Sequence, residues 1–393
     1  MINMCIVATL SATVKAFWGD QLRFLQDNGF KITIIASLKE GMEPFQEGFP
    51  ENVKIIYVKM SRKIKPFEDI IALKTIIGIM RKEQFDLVQY VTPKGAMFGS
   101  ISSRLAKIPV RLYLMWGLYY TTQSGLKRCF FKHIEKWVCR LSTAIAPDSK
   151  GNLKLAVDEG LCKADKISVV GNGSANGVDT ERFDPGKMAP YRNEIRHKLA
   201  IPQDAFVFGT VANVVRDKGI NELIEAFNAV AEWNPKVYLL GIGEIPEKNP
   251  VTLKTLDIIN NHERIIYIGK QKEIEKYFSA MDVFVLPTYR EGFGVVNIEA
   301  SAMKLPVIST DVPGPQESIL HEETGLLVPA RQVEPLKVAM ETLMNRPILA
   351  KKLGELGRNR VQELYDQKKL WQLILEHRKK LVLESKKQED VNS

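Results

Sequence analysis

Short apolar runs alternate with amphipathic stretches through the first half of the chain. Residues 4–9, 31–36, 53–58, 85–91, 110–115, 144–147 and 167–170 have the length and β-branched content of buried strands. Between them, 17–28, 67–82, 96–107, 126–141 and 151–159 carry helical spacing. This alternation predicts a doubly wound parallel sheet, whose ligands bind outside the carboxyl ends of the strands. The loops at 10–15, 92–95 and 116–122 are therefore candidate site segments. A Gly- and Asn-rich break follows at 171–190. Its Gly171, Gly173 and Gly177 lack the G-x-G-x-x-G order of a dinucleotide turn. It reads as a domain connection, either a plain turn or one with a phosphate or sugar contact. The alternation then resumes, with strands at 206–211, 236–242, 264–269, 283–287 and 306–310 and helices at 220–233, 253–260, 274–281 and 295–303. Two successive α/β halves predict two domains with a cleft between them. The tail at 365–387 is strongly helical, and its last six polar residues, 388–393, are expected to fray.

The stretch PTYREGFGVVNIEASAMKLPVI, 287–308, concentrates the chemistry. A buried strand runs into Gly292 and Gly294, then a helix, which Lys304, Leu305 and Pro306 stop. Strand, glycine-rich turn and helix aim free backbone N–H groups and a positive dipole end at an anion. Glu291 and Glu299 bracket that turn. A carboxylate is repelled by phosphate, so the natural partners of both are hydroxyl donors. An anion site between two hydroxyl-binding acids fits a nucleotide sugar. The plainer reading makes Glu291 a helix cap and Glu299 half of a surface pair. Lys218, in NVVRDKG, begins a second helix after a strand. A cation there opposes the helix dipole unless an anion lies beside it, so Lys218 reads as a clamp on the diphosphate.

EGFGVVNIEASAM resembles the signature of the retaining, GT-B-fold glycosyltransferases of family 4, in particular the bacterial subgroup that builds capsule and other surface polysaccharides on a polyprenyl carrier. The resemblance covers nearly the whole chain and extends to SVVGNGSANGVDTERFDP (168–185), DKGINELIEAF (217–227), TPK (92–94) and PVISTDVPGPQESI (306–319). It implies two Rossmann-like domains facing across a cleft: an acceptor-binding domain at 1–180 and a nucleotide-sugar-binding domain at 181–364. A terminal helix and tail, 365–393, would cross back to the first domain. It places Glu291 on the donor sugar, Glu299 on the ribose, Lys218 on the diphosphate, and Gly292, Phe293, Gly294 and Val295 around the nucleotide. The family pattern has Arg where this chain has Asn213; Arg216 is the candidate replacement for its charge, with Asn213 kept as a nucleotide contact. The pattern also has His residues where Gln89 and Val91 stand, and Arg at Trp116. Trp116, Tyr119 and Tyr120 offer an aromatic floor for a sugar or carrier lipid instead, or plain core. Retention without an evident nucleophile implies front-face displacement with the departing phosphate as base.

Charge adds a partner. Residues 1–180 carry 25 Lys and Arg against 16 Asp and Glu, while 181–393 carry 30 of each, so the whole excess of +9 lies in the first half. Its clusters are Arg62, Lys63 and Lys65, and the segment 125–141. That segment interleaves Phe130, Phe131, Ile134 and Trp137 with Lys127, Arg128, Lys132, Lys136 and Arg140. The composition fits an interfacial helix on an anionic membrane, or a core helix with a basic outer face. No nucleic-acid motif accompanies the charge, so nucleic acid is not expected. No apolar run reaches the ~18 residues of a membrane span. The start reads as a strand rather than a signal peptide, and the four cysteines show no metal or disulfide spacing. A cytoplasmic protein, peripheral on the inner face of the membrane, follows. No D-x-D occurs, and none of the five His falls on a site-like loop, so neither metal nor cofactor is expected. The alternatives are a degenerate transferase acting as a scaffold, motivated by Asn213, Gln89, Val91 and Trp116, and a nucleotide-sugar epimerase of the same architecture.

Overall fold

The computed structural model describes residues 1–38, 48–61, 65–246 and 250–392. Arg62 and Lys63 of the first basic cluster lie outside them. The chain forms two compact units: Met1–Asn176 with Lys368–Ser393, and Gly177–Gln367. The breaks fall a few residues from the expected 180/181 and 364/365.

In the first unit, strands β1 (Ile2–Leu10), β2 (Phe30–Ser37), β3 (Lys54–Tyr57), β4 (Leu87–Tyr90), β5 (Val110–Met115) and β6 (Ala144–Pro147) form one all-parallel sheet in the order β3-β2-β1-β4-β5-β6. Helices α1 (Ser11–Asp27), α2 (Pro66–Glu83), α3 (Pro93–Leu105), α4 (Gly125–Leu141) and α5 (Lys150–Asp158) connect them. Successive side chains of a strand point to opposite faces, and here both faces are buried. Met4, Ile6 and Ala8 of β1 pack with Trp18, Leu22 and Leu25 of α1. Cys5 and Val7 pack on the other face with Ala72 and Ile76 of α2 and Phe98 of α3.

Two expectations fail here. Residues 10–15 are not a loop: α1 starts at Ser11, directly after β1, and its irregularity lies further on at Gly19 (φ 10°, ψ −101°). The expected strand at 167–170 is reduced to one bridge, Ile145 to Ile167.

The second unit repeats the plan. Strands β7 (Phe206–Val211), β8 (Val237–Ile242), β9 (Ile265–Tyr267), β10 (Val283–Leu286), β11 (Val307–Thr310) and β12 (Gly325–Val328) pair in parallel in the order β12-β11-β10-β7-β8-β9. Its helices are α6 (Pro185–Met188), α7 (Tyr191–Lys198), α8 (Ile220–Trp233), α9 (Leu253–Asn261), α10 (Ile274–Phe278), α11 (Val295–Ala302), α12 (Pro315–Ser318), α13 (Val333–Asn345) and α14 (Pro347–Leu364). Strand β12 was not expected; at four residues, two of them half-buried, its pattern is too short to stand out. The last helix, α15 (Gln367–Asn392), belongs almost wholly to the first unit, where Leu375 and Val382 join the α1 face of the core. It runs through most of the six residues expected to fray. No helix among the described residues is long and apolar enough to cross a membrane.

Candidate active site

Both sheets reverse their strand order once, between β1 and β4 and between β7 and β10. Such a reversal sends the neighbouring connections to opposite faces and opens a crevice at the strand ends. In the second unit the segments leaving β7 and β10 carry Lys218 and Glu291, and they are stitched together. The Tyr289 N–H donates to the Asp217 carbonyl at 2.8 Å, and the Thr288 hydroxyl donates to the same oxygen at 3.1 Å. Gly219 (φ 70°) lies so close to Pro287 that a Cβ would sit 1.9 Å from the Pro287 carbonyl oxygen. Only glycine meets both demands there. Across this seam the Lys218 ammonium forms an ion pair with the Glu291 carboxylate.

Gly294 (φ 85°) caps the start of helix α11, and helix geometry leaves the N–H groups of Val295 and Val296 without intrahelical acceptors. Asn297 secures the start: its side-chain amide donates to Ser309 at 3.2 Å and Ser318 at 3.1 Å, both buried. The Phe293 side chain is buried edge-on against Tyr365, with ring centroids 5.1 Å apart. Phe293 therefore anchors the loop and has only its main chain to offer a ligand. Glu299, on the second turn, makes no side-chain hydrogen bond or ion pair among the described residues. Burial pushes its carboxyl up to about 7; Arg182 pulls the other way and Glu275 adds to the rise. Asn213 is exposed and accepts the Glu244 N–H at 3.3 Å, while Arg216 is exposed at the start of the Lys218 turn.

The first unit treats its candidates differently. At its own reversal point the Thr9 and Thr92 hydroxyls lie 2.7 Å apart, and the Gly95 N–H donates to Thr9 at 3.2 Å. Lys94 of T-P-K is turned into the fold, donating to Asp69 at 2.6 Å and to the Ser61 carbonyl at 2.7 Å. Gln89 and Val91 are core residues; Gln89 accepts from Arg378 of α15 at 3.4 Å. Trp116 packs on Phe17 and Trp18, each at 4.8 Å, and Tyr120 is fully buried. Tyr119 meets Phe131 edge-on at 4.9 Å. On α4, Phe131 and Ile134 face the core, whereas Leu126, Phe130 and Trp137 are 90%, 51% and 59% exposed. The one acid of this helix, Glu135, is buried and accepts from Tyr113 at 2.8 Å. Arg128 and Lys132 pair with Glu159, so the exposed face beside the apolar residues presents Lys127, Lys136 and Arg140.

Four residues around the second-unit site escape sequence reasoning. Tyr289 donates its hydroxyl to Glu222 on α8 at 2.5 Å, and Arg331 lies over its ring at 4.6 Å. Arg182 donates to Glu275 at 2.7 Å within electrostatic reach of Glu299. Each contact spans dozens of residues and follows no local spacing. The only available signal was that Tyr289, Glu222 and Arg182 sit inside stretches already singled out.

Two family models match the chain, one described as "Glycosyl transferase 4-like" over residues 4–149 and one as "Glycosyl transferases group 1" over residues 191–360. The chain is 31% identical over 368 residues to the capsular polysaccharide biosynthesis glycosyltransferase CapM of Staphylococcus aureus, covering 93% of this chain and 94% of that protein. It is 24% identical over 334 residues to the UDP-Gal:alpha-D-GlcNAc-diphosphoundecaprenol alpha-1,3-galactosyltransferase of Escherichia coli, covering 84% of each. Among solved structures it superposes on Anabaena HepE in complex with UDP-glucose with a TM-score of 0.76 at 16% identity, covering 97% of this chain and 100% of that one. The sucrose-phosphate synthase of Thermosynechococcus elongatus gives 0.80 at 20%, covering 97% and 99%. The chain therefore belongs to the group 1, family-4-like glycosyltransferases and has their GT-B fold.

Proposed function

We propose that this chain transfers a sugar, with retention and without a metal ion, from a UDP-linked donor to a polyprenyl-linked or other glycan acceptor during bacterial surface-polysaccharide synthesis. The observation that carries this reading is the joining of Lys218 and Glu291 beside the start of α11. The N–H groups of Val295 and Val296 and the Lys218 ammonium would receive the diphosphate and stabilise its charge as the sugar departs. Glu291 would accept from a donor-sugar hydroxyl, and Glu299 from the ribose hydroxyls. Arg216 adds charge at the rim of the Lys218 turn. In front-face displacement the acceptor oxygen bonds to the anomeric carbon on the side the phosphate leaves, and its proton passes to that phosphate.

The names of the relatives favour this donor and acceptor: the Escherichia coli protein is a UDP-Gal transferase acting on a diphosphoundecaprenol-linked sugar, and the Anabaena structure holds UDP-glucose. The exposed Leu126, Phe130 and Trp137 beside Lys127, Lys136 and Arg140 would seat the first unit on the anionic, cytoplasmic face of the membrane, where such an acceptor resides.

A thermal-shift screen against UDP-, GDP- and ADP-sugars, followed by transfer of labelled sugar to a polyprenyl-diphosphate glycan, tests the proposal. Stabilisation by UDP-sugars and a labelled lipid product with the donor's anomeric configuration are expected. Nucleotide binding with no turnover across donors and acceptors would favour the scaffold reading.

A further inference from the structure

Lys218 faces two claimants: Glu291, which holds it now, and the diphosphate that it would hold in the donor complex. Donor binding must then open the ion pair that bridges the two turns, and some other contact must keep the turns in register. We propose that the Tyr289–Glu222 hydrogen bond is that contact, which makes Tyr289 a positioning residue that holds the Glu291 loop on the Lys218 turn while the two charged side chains exchange partners. This rests on the donor-binding reading of Lys218 and Glu291.

The geometry is specific. Tyr289 is two residues before Glu291, and Glu222 lies one helical turn after Lys218, so the bond at 2.5 Å ties the two segments beyond the ion pair. The backbone bond from Tyr289 to Asp217 fixes the other side of the same seam. Arg331 covers the ring, and it does so from a left-handed backbone (φ 65°), which is strained for an L-residue. The second oxygen of Glu222 is buried with no hydrogen-bond partner among the described residues, an arrangement that detracts from stability. Two local penalties around one tyrosine fit selection for position over stability. Burial, then Glu222, pushes the phenol well above its ordinary range, so it stays a donor throughout the working pH.

The test uses the full chain. Tyr289→Phe should lower kcat by about 10- to 100-fold, the scale of a small misplacement of reacting groups, with UDP affinity unchanged. Glu222→Gln, whose side-chain carbonyl still accepts, should keep most of the activity. Glu222→Ala should match Tyr289→Phe, and the double variant should be no worse than either single one. In hydrogen exchange, Tyr289→Phe should speed exchange about tenfold at 215–219 and 287–292 and nowhere else. Additive losses, a parallel fall in affinity and turnover, or unaltered exchange at those two turns would overturn the positioning role. Faster exchange at both turns in a protein whose wild type turns over no donor would support the clamp and overturn the transferase reading alone.

Discussion

Lys218 and Glu291, 73 residues apart in sequence, neutralise each other across the seam between the two turns that follow β7 and β10. The pair is partly exposed, with side chains 30% and 17% accessible, so it is weak enough to be exchanged. Glu291→Gln releases Lys218 and should tighten bare UDP binding by about two- to fivefold, the worth of such a pair, while turnover falls. Lys218→Ala should lower turnover about 10²- to 10³-fold, because the leaving diphosphate gains charge as the sugar departs. Calorimetry on both variants checks this; weaker UDP binding by Glu291→Gln would show that the pair does not compete with the ligand.

Glu299 gives a pH signature. Its carboxyl is raised from 4.5 to about 7 in the unliganded protein, whereas a ribose-bound carboxylate must be ionised. Nucleotide affinity should therefore rise with pH up to about 7 and then level off. The same shift has a stability sign. The folded state holds the proton more tightly than the unfolded one, so unliganded stability falls as pH rises from 4.5 to about 7. Glu299→Gln should gain on the order of 1 kcal/mol of unliganded stability above pH 7. It should lose about 1–3 kcal/mol of nucleotide binding and the pH dependence that wild type shows beyond the ligand's own titration. Melting curves and calorimetry on both sides of pH 7 decide it.

The outer face of α4 predicts lipid binding. Phe130→Ser and Trp137→Ser each remove an exposed aromatic ring and should weaken vesicle binding about tenfold. Lys136→Glu and Arg140→Glu should abolish the preference for anionic vesicles, roughly 1 kcal/mol per cation removed. Wild-type binding should fall as salt rises. Sedimentation that is equal on neutral and anionic vesicles would count against the electrostatic part.

His377, on α15, supplies an acid-stability prediction. Burial, then Arg378 and Lys380, lowers it from 6.5 to about 3. The unfolded chain takes up a proton below 6.5 and the folded chain does not until about 3, so the stability this residue contributes is present above 6.5 and is lost across that window. His377→Gln should flatten the fall by at most about 1.4 kcal/mol per pH unit. Urea unfolding at several pH values measures the slope.

The alternation of strand and helix was legible because each sheet is buried on both faces, which leaves apolar runs such as 110–115 and 206–211 with sharp edges. Strand β12 was not, since half its residues touch partial solvent. Glu291, Glu299 and Lys218 stood out as candidates because each sits at a strand–turn–helix junction whose dipole gives a charge local meaning. Their arrangement did not: nothing in the spacing says that Lys218 meets Glu291, or that Tyr289 reaches Glu222. Lys94 shows the reverse case: the 92–95 segment was a candidate site loop, yet its lysine turns into the fold onto Asp69.

Because α15 completes the core of the first unit, that unit is not a continuous stretch of chain. A chain leaving the ribosome releases residues 177–367 before the helix that brings Leu375 and Val382 to the α1 face of the first core exists. The usual order, N-terminal domain first, is inverted here: the second unit can finish while the first still exposes one apolar face. Completion of the first unit thus waits on the synthesis of α15, and a chain stopped short of that helix leaves the first unit's core unfinished.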